Sequence, residues 1–199
     1  LAGAAAIVLL VGLVVGSHAA GAATAQSGFE HIASFRSDIQ IDPAGAIEVV
    51  EQIDYDFGSL SRHGIERWIP DRYDYDGETP DDGTYERATP IDDISVSSPS
   101  GAPADLDVSR DGQYTKLRIG DPDRTVSGQQ TYVIRYRVKG VFNRFEDHDE
   151  LYWNVTGDQW RVNIDQATAE VVAPTGITQA GCYAGPPESR LECAQHTVD

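Results

Sequence analysis

The segment Ile47-Glu48-Val49-Val50-Glu51-Gln52-Ile53-Asp54-Tyr55-Asp56-Phe57 alternates along its whole length. Ile47, Val49, Ile53, Tyr55 and Phe57 fall on one side, and Glu48, Gln52, Asp54 and Asp56 fall on the other. Successive side chains of an extended chain point to opposite faces, so a period of two predicts a half-buried strand. Glu51 breaks the pattern, because its phase puts it on the apolar face. A carboxylate there needs a partner or an edge position, since an unpaired buried charge is too costly to keep.

The same period continues on both sides. Phe35, Ser37, Ile39 and Ile41 alternate with Arg36, Asp38 and Gln40, and Asp42-Pro43-Ala44-Gly45 has the composition of a turn. The two segments therefore predict a hairpin. Further on, Tyr132, Ile134, Tyr136 and Val138 face one way and Val133, Arg135 and Arg137 the other, giving the longest clean strand, within 129–142. Leu106 and Val108 lead into Asp111-Gly112, and Tyr114, Leu117 and Ile119 lead out. Asp-Gly between alternating runs is a strong hairpin signal. Residues 91–98, 151–155 and 164–172 complete the predicted strands, with loops over 58–64 and 143–150. Pro70 ends regular pairing after 63–69, and residues 71–90 read as a long acidic surface loop. No sustained helical period follows residue 30. The expected fold class is all-β, an antiparallel β-sandwich of about eight or nine strands.

An apolar N-terminal export segment precedes this domain. Residues 1–25 carry no charge, are centred on Ile7 to Val15, and end in small residues. They predict a signal peptide, with Ala23-Thr24-Ala25 or Ala20-Gly21-Ala22 at the cleavage site, or else an N-terminal membrane anchor. Residues 26–33 are then a linker, and 34–199 an extracytoplasmic domain. The chain has no Met and begins at Leu1, so a longer protein is expected.

With 32 acidic against 15 basic residues, the formal charge is -17. Such a surface repels phosphate backbones and excludes nucleic acid as a partner. It also disfavours docking on anionic lipid.

Sites of chemistry are hard to place. Around Asp74, Asp76 and Gly77 an EF-hand frame would start at Arg72 and end at Gly83, so it fails at both ends. In Glu146-Asp147-His148-Asp149-Glu150, neighbours on an extended chain diverge, which disfavours a metal cluster. There is no Gly-x-Ser-x-Gly elbow, no His-Glu-x-x-His and no phosphate loop. No catalytic, cofactor-binding or metal-ligating residue is assigned, and no cofactor is expected. Tyr152 and Trp153 should face opposite ways, and with Trp160 they read first as core and second as platforms for a sugar ring. Asn154-Val155-Thr156 fits a glycosylation acceptor but lies in a strand candidate. Cys182 and Cys193, close together in an exported domain, are expected to form a disulfide.

Several of these segments resemble the N-terminal domain of the YciQ-like predicted membrane proteins. The likeness is carried by the opening strand pair, by Gly64-Ile65-Glu66-Arg67-Trp68-Ile69-Pro70, and by Tyr136-Arg137-Val138-Lys139-Gly140-Val141. Asp149-Glu150-Leu151-Tyr152-Trp153-Asn154 and Gly157-x-x-Trp160 extend it, and it covers about residues 34 to 195. The resemblance implies a domain between a signal segment and transmembrane helices beyond this chain, hence attachment to the cell membrane. It brings no catalytic residues, and the 71–90 loop looks longer than the family pattern. The expected role is a non-catalytic module, on the extracytoplasmic side, that binds a ligand, an envelope protein or a glycan. The alternatives are a glycan hydrolase-like envelope enzyme using unidentified carboxylates, or a purely structural ectodomain.

Overall fold

The computed structural model describes residues 29–75, 85–186 and 189–198, with the side chains of 74, 75 and 85 left aside. Residues 1–25, expected as an export segment, residues 26–28 of the expected linker and the 76–84 tip of the acidic loop lie outside the described residues. Among the described residues there are fourteen strands and no helix.

Five strands form the larger sheet, in the order β12-β1-β2-β9-β6: β1 (His31–Ile41), β2 (Ile47–Asp56), β6 (Ile91–Ser97), β9 (Gln129–Val138) and β12 (Ala167–Val172). A second sheet has the order β3-β8-β7, from β3 (Gly64–Pro70), β7 (Leu106–Asp111) and β8 (Tyr114–Gly120). The alternation decides which faces turn inward. Ile47, Val49, Ile53 and Tyr55 of β2 and Tyr132, Ile134, Tyr136 and Val138 of β9 are buried. They join Ile65 and Ile69 of β3 and Leu117 and Ile119 of β8 in one hydrophobic core shared by both sheets. A register shift between Ile32 and Ser34 changes the phase of β1, so both Ile32 and Phe35 point inward.

Both expected hairpins form. Asp42 Oδ1 accepts the amides of Ala44 and Ala46 at 2.8 and 2.9 Å in the β1–β2 turn. Asp111 and Tyr114 pair across the Gly112-Gln113 turn between β7 and β8.

The expected architecture needs several corrections. The larger sheet is not purely antiparallel, because β12 runs parallel to β1. A long irregular connection from 152 to 166 returns the chain in the direction that parallel pairing requires. The eight strands of the two sheets do not exhaust the fold, since three further hairpins surround them. One of these, β4 (Arg72–Tyr75) with β5 (Tyr85–Ala88), occupies the acidic loop, and Asp71 at its base is 2% exposed. Another, β10 (Phe142–Arg144) with β11 (Asp149–Leu151), replaces the loop expected at 143–150. Finally, the strand expected over 151–155 stops at Leu151, and that expected over 164–172 starts at Ala167, with Ile164 making only an isolated bridge to Ile32.

The last hairpin, β13 (Tyr183–Ala184) with β14 (Leu191–Glu192), is closed by a Cys182–Cys193 disulfide, and both half-cystines pack against the core.

Candidate functional site

Two inward-facing charges meet between the sheets. Glu51 on β2 is 0% exposed and Arg67 on β3 is 1% exposed. Arg67 follows the alternation of Ile65 and Ile69, so it is the partner that the misplaced carboxylate requires. Its Nε donates to Glu51 Oε2 at 2.8 Å and its Nη2 to Oε1 at 2.7 Å, a two-pronged pairing. The Tyr136 hydroxyl on β9 donates to the same Oε1 at 2.6 Å. Burial opposes the Arg67 charge, but the neighbouring carboxylate outweighs it and holds the guanidinium pKa above its ordinary value. Burial, then the Glu51 charge, push the Tyr136 phenol well up, so it stays a neutral donor.

The remaining donors of Arg67 hold backbone. Nη1 donates to the Trp68 carbonyl at 2.7 Å and Nη2 to the Val155 carbonyl at 3.1 Å. The rings of Phe35 and Trp160 flank the guanidinium, with centroids 5.5 and 5.9 Å from Cζ. Gly157 lies against it at φ +73°, where an added Cβ would come within 2.4 Å of Nη1. Asn154 Oδ1 accepts the Gly157 amide at 2.9 Å, and Trp160 Nε1 donates to the Thr156 carbonyl at 2.8 Å. Residues 154–160 are therefore folded over a buried cation rather than paired as a strand. Thr156 is fully buried, so the Asn-x-Thr pattern belongs to this turn.

The folded loop presents Asp158 and Gln159 to solvent. Tyr114 donates its hydroxyl to Asp158 Oδ2 at 3.1 Å and accepts from Gln159 Nε2 at 3.1 Å. The Tyr114 ring meets Trp68 edge-on at 5.9 Å. Lys116 places its ammonium over the Trp68 ring at 4.6 Å and pairs with Glu66 at 2.7 Å. Tyr73, from β4, has its phenol pushed up by burial and by the neighbouring charges of Tyr152, Asp71 and Asp158. Tyr152 is 44% exposed, whereas Trp153 is buried, the opposite facing that alternation predicts. One surface region thus gathers Trp68 and Tyr114 beside Asp158 and Gln159.

The other sequence candidates do not converge. Around 146–150, His148 Nδ1 pairs with Asp147, Glu150 accepts from Asn143, and Asp149 lies 3.9 Å from Arg144. Among the described residues, no group of three or more His, Cys, Asp or Glu side chains gathers as a metal site. The buried carboxylates among them are Glu51 and Asp71; Asp71 accepts from Thr115 Oγ1 at 2.8 Å and lies 3.5 Å from Arg110. Arg67 and Tyr136 were not recognised as site residues from sequence, though the inward phase of Arg67 within 65–69 was a readable signal.

Comparison with known proteins places these features. A family model described as "Predicted membrane protein (DUF2207) N-terminal domain" matches residues 31–196. The uncharacterized protein YciQ of Escherichia coli K12 is 27% identical over 161 residues, 79% of this chain and 24% of that protein. The chain thus spans about a quarter of the length of this curated relative. Among solved structures, leukotriene A4 hydrolase from Saccharomyces cerevisiae aligns with 73% of this chain and 23% of its own. Two structures of the yeast enzyme give TM-scores of 0.43 and 0.44 at 9% identity, too remote to carry any activity across.

Proposed function

On the premise that this chain belongs to the DUF2207 family of predicted membrane proteins, as their N-terminal domain, we propose that it is a non-catalytic recognition module. Membrane association follows from the family; among the described residues no helix is long and apolar enough to cross a membrane. In the proposed arrangement the domain sits on the extracytoplasmic side as a two-sheet sandwich. Residues 1–25 act as its export signal or anchor, and spans beyond this chain hold it at the membrane. The uncharged stretch at 1–25 and the disulfide support that side.

One observation carries the recognition reading. The strongest ionic constellation, Glu51–Arg67–Tyr136, is sealed from solvent, while the loop it holds displays the Asp158 carboxylate and the Gln159 amide beside the half-buried rings of Tyr114 and Trp68. A sealed carboxylate cannot reach a substrate. Partly exposed aromatics beside a few fixed polar groups are the usual make-up of a binding surface. The partner is an envelope component, a protein or a glycan.

The test uses the immobilised chain and its Tyr114→Ala/Asp158→Asn variant, each exposed to solubilised membrane proteins and to isolated wall glycans. Retention of a defined component by the parent chain and its loss in the variant is the expected result. Equal retention by both, or none by either, would sink the proposal.

A further inference from the structure

The fold leaves one regular sheet edge open, and we infer that this edge, β12, pairs with β12 of a second copy of the chain. The two sheets have four edge strands: β12, β6, β3 and β7. Unpaired N–H and C=O groups on an edge template association, and proteins usually blunt them. Three of the four are blunted here. The register of β6 shifts between Asp92 and Ser95, with Asp93 at φ +55°. β7 is exposed on both faces from Asp107 to Asp111, so it offers no apolar side to extend. The 154–160 loop lies over β3, where an added Cβ on Gly157 would come within 3.0 Å of the Trp68 carbonyl. β12 has none of these devices. It follows β1 from Ala167 to Val172 without a shift and contains no Pro, Lys or Arg. No backbone hydrogen bond between described residues reaches its outer side.

The pairing with β1 determines which groups are free. Phe35 stands opposite Ala167, and its amide donates to the Gln166 carbonyl at 2.8 Å. In a parallel ladder the even-numbered residues of β12 then bond to β1, and the N–H and C=O groups of Ala167, Ala169 and Val171 point outward. An antiparallel second copy centred on Ala169 uses all of them. Ala169 meets its own counterpart, and Ala167 meets Val171 of the second copy, once on each side. These side chains are half-buried against the core, so the pairing continues both cores across a two-fold axis.

Charge at this seam is self-complementary. Between the hydrogen-bonded pairs, Thr168 faces Glu170 of the second copy, at the positions where side chains come closest. Arg36 stands opposite Thr168 on β1 and holds Glu170 of its own chain at 3.2 Å. No like charges face each other, whereas a copy centred on position 170 would set Glu170 against itself. The formal charge of -17 opposes self-association in dilute salt. Added salt should therefore favour the dimer, the reverse of its effect on a basic partner.

Sedimentation velocity of the full 199-residue chain in a mild detergent, over a concentration series at low and high NaCl, reads the association. A reversible monomer–dimer equilibrium is expected, with more dimer at high salt. Ala169→Pro removes an N–H that no bond to β1 uses, so its urea midpoint should stay near the parent's. It should raise the dimer dissociation constant about tenfold or more, through the two central hydrogen bonds. Ala169→Cys should cross-link on mild oxidation, since Cα atoms of a hydrogen-bonded antiparallel pair lie about 5.5 Å apart. Ala167→Cys should not, because its counterpart lies about 13 Å further along the strand. A chain that stays monomeric at both salts, or a dimer that dissociates at high salt, overturns the inference. So does a dimer that forms equally in Ala169→Pro, or that cross-links no better through position 169 than through 167. Should Ala169→Pro fail to fold, the cross-link comparison decides.

Discussion

Replacing Glu51 by Leu should destabilise the domain by about 3–5 kcal/mol, the cost of stranding one member of a buried ion pair. The contacts explain the size. The change removes the acceptor of two Arg67 bonds, at 2.8 and 2.7 Å, and of the 2.6 Å Tyr136 bond. Two backbone carbonyls remain for the guanidinium, with no counter-charge. Against a total stability of about 5–15 kcal/mol for an ordinary domain, much of the margin disappears. The melting temperature should fall by roughly 6–20 °C. Arg67→Met should cost about as much, for the converse reason. The double variant should lose less than the sum of the two, with a coupling of about 2–3 kcal/mol, because neither charge is then left alone. Urea unfolding at pH 7, followed by tryptophan fluorescence, reads all three. Additivity of the two single changes within about 0.5 kcal/mol would refute the account. So would a loss below about 1 kcal/mol in either single variant. Tyr136→Phe keeps both charges and gives a milder check, an expected loss of about 1.5–3 kcal/mol for one hydrogen bond to a charged group.

Gly157→Ala should destabilise more than Gly112→Ala in the same urea assay. Both glycines have positive φ, a penalty of about 1–2 kcal/mol, but an added Cβ meets Arg67 Nη1 only at position 157 and open space at 112. Equal losses would show that the loop yields freely around Arg67. Replacing both Cys182 and Cys193 by Ser should cost about 3 kcal/mol for a loop of 11 residues, seen as a lower urea midpoint; an unchanged midpoint would show that the β13–β14 hairpin is not part of the cooperative unit. Alkali should weaken the fold above pH 10. Burial raises the Tyr132 phenol to about 12 and the Tyr136 phenol well above its ordinary value, so the unfolded chain releases these protons first. Absorbance at 295 nm should therefore show fewer than nine tyrosines titrating near pH 10 in the folded protein, and all nine doing so would contradict the burial. Acid acts through Glu30, held below its ordinary pKa by hydrogen bonds from Arg62, and Asp42, held low by the Ala46 amide and by Arg137. Their contribution is complete above about pH 4.5 and is lost as pH falls through the lowered values, so urea midpoints should be flat above that point and fall below it.

The strands with one clean inward face were legible because their hydrophobic period is a local property. Burial alternates along β2, β8 and the greater part of β9, and each buries the residues that its phase predicts, Glu51 included. Legibility failed where a distant contact overrides the local pattern. Leu151-Tyr152-Trp153-Asn154-Val155 alternates well enough to suggest a strand, yet the Val155 carbonyl accepts from Arg67, 88 residues away in sequence. The β4–β5 hairpin was hidden for a similar reason. Arg87 in β5 donates to the Gly140 and Phe142 carbonyls, tying a polar segment to the start of β10. Composition alone reads such a segment as a solvated loop. The parallel β12 was invisible because pairing direction depends on the path of the intervening chain.

The candidate site was half-visible. Glu51 announced that it needed a partner, and Arg67 lay in the right phase on a neighbouring segment, but nothing local linked the two. Their union also bears on why the chain places charge in its core. Swapping a buried ion pair for apolar residues of similar volume often leaves stability unchanged or improved, so stability alone is a weak reason for one. An apolar side chain at position 67 would, however, leave the carbonyls of Trp68 and Val155 without their donor. Those two carbonyls fix where β3 and the 154–160 loop lie relative to each other. The loop then stays irregular and reaches the surface with Asp158 and Gln159 beside Tyr114. An interior arginine is thus the means by which a regular β core carries one irregular, polar and aromatic surface. That surface is where a partner should be sought.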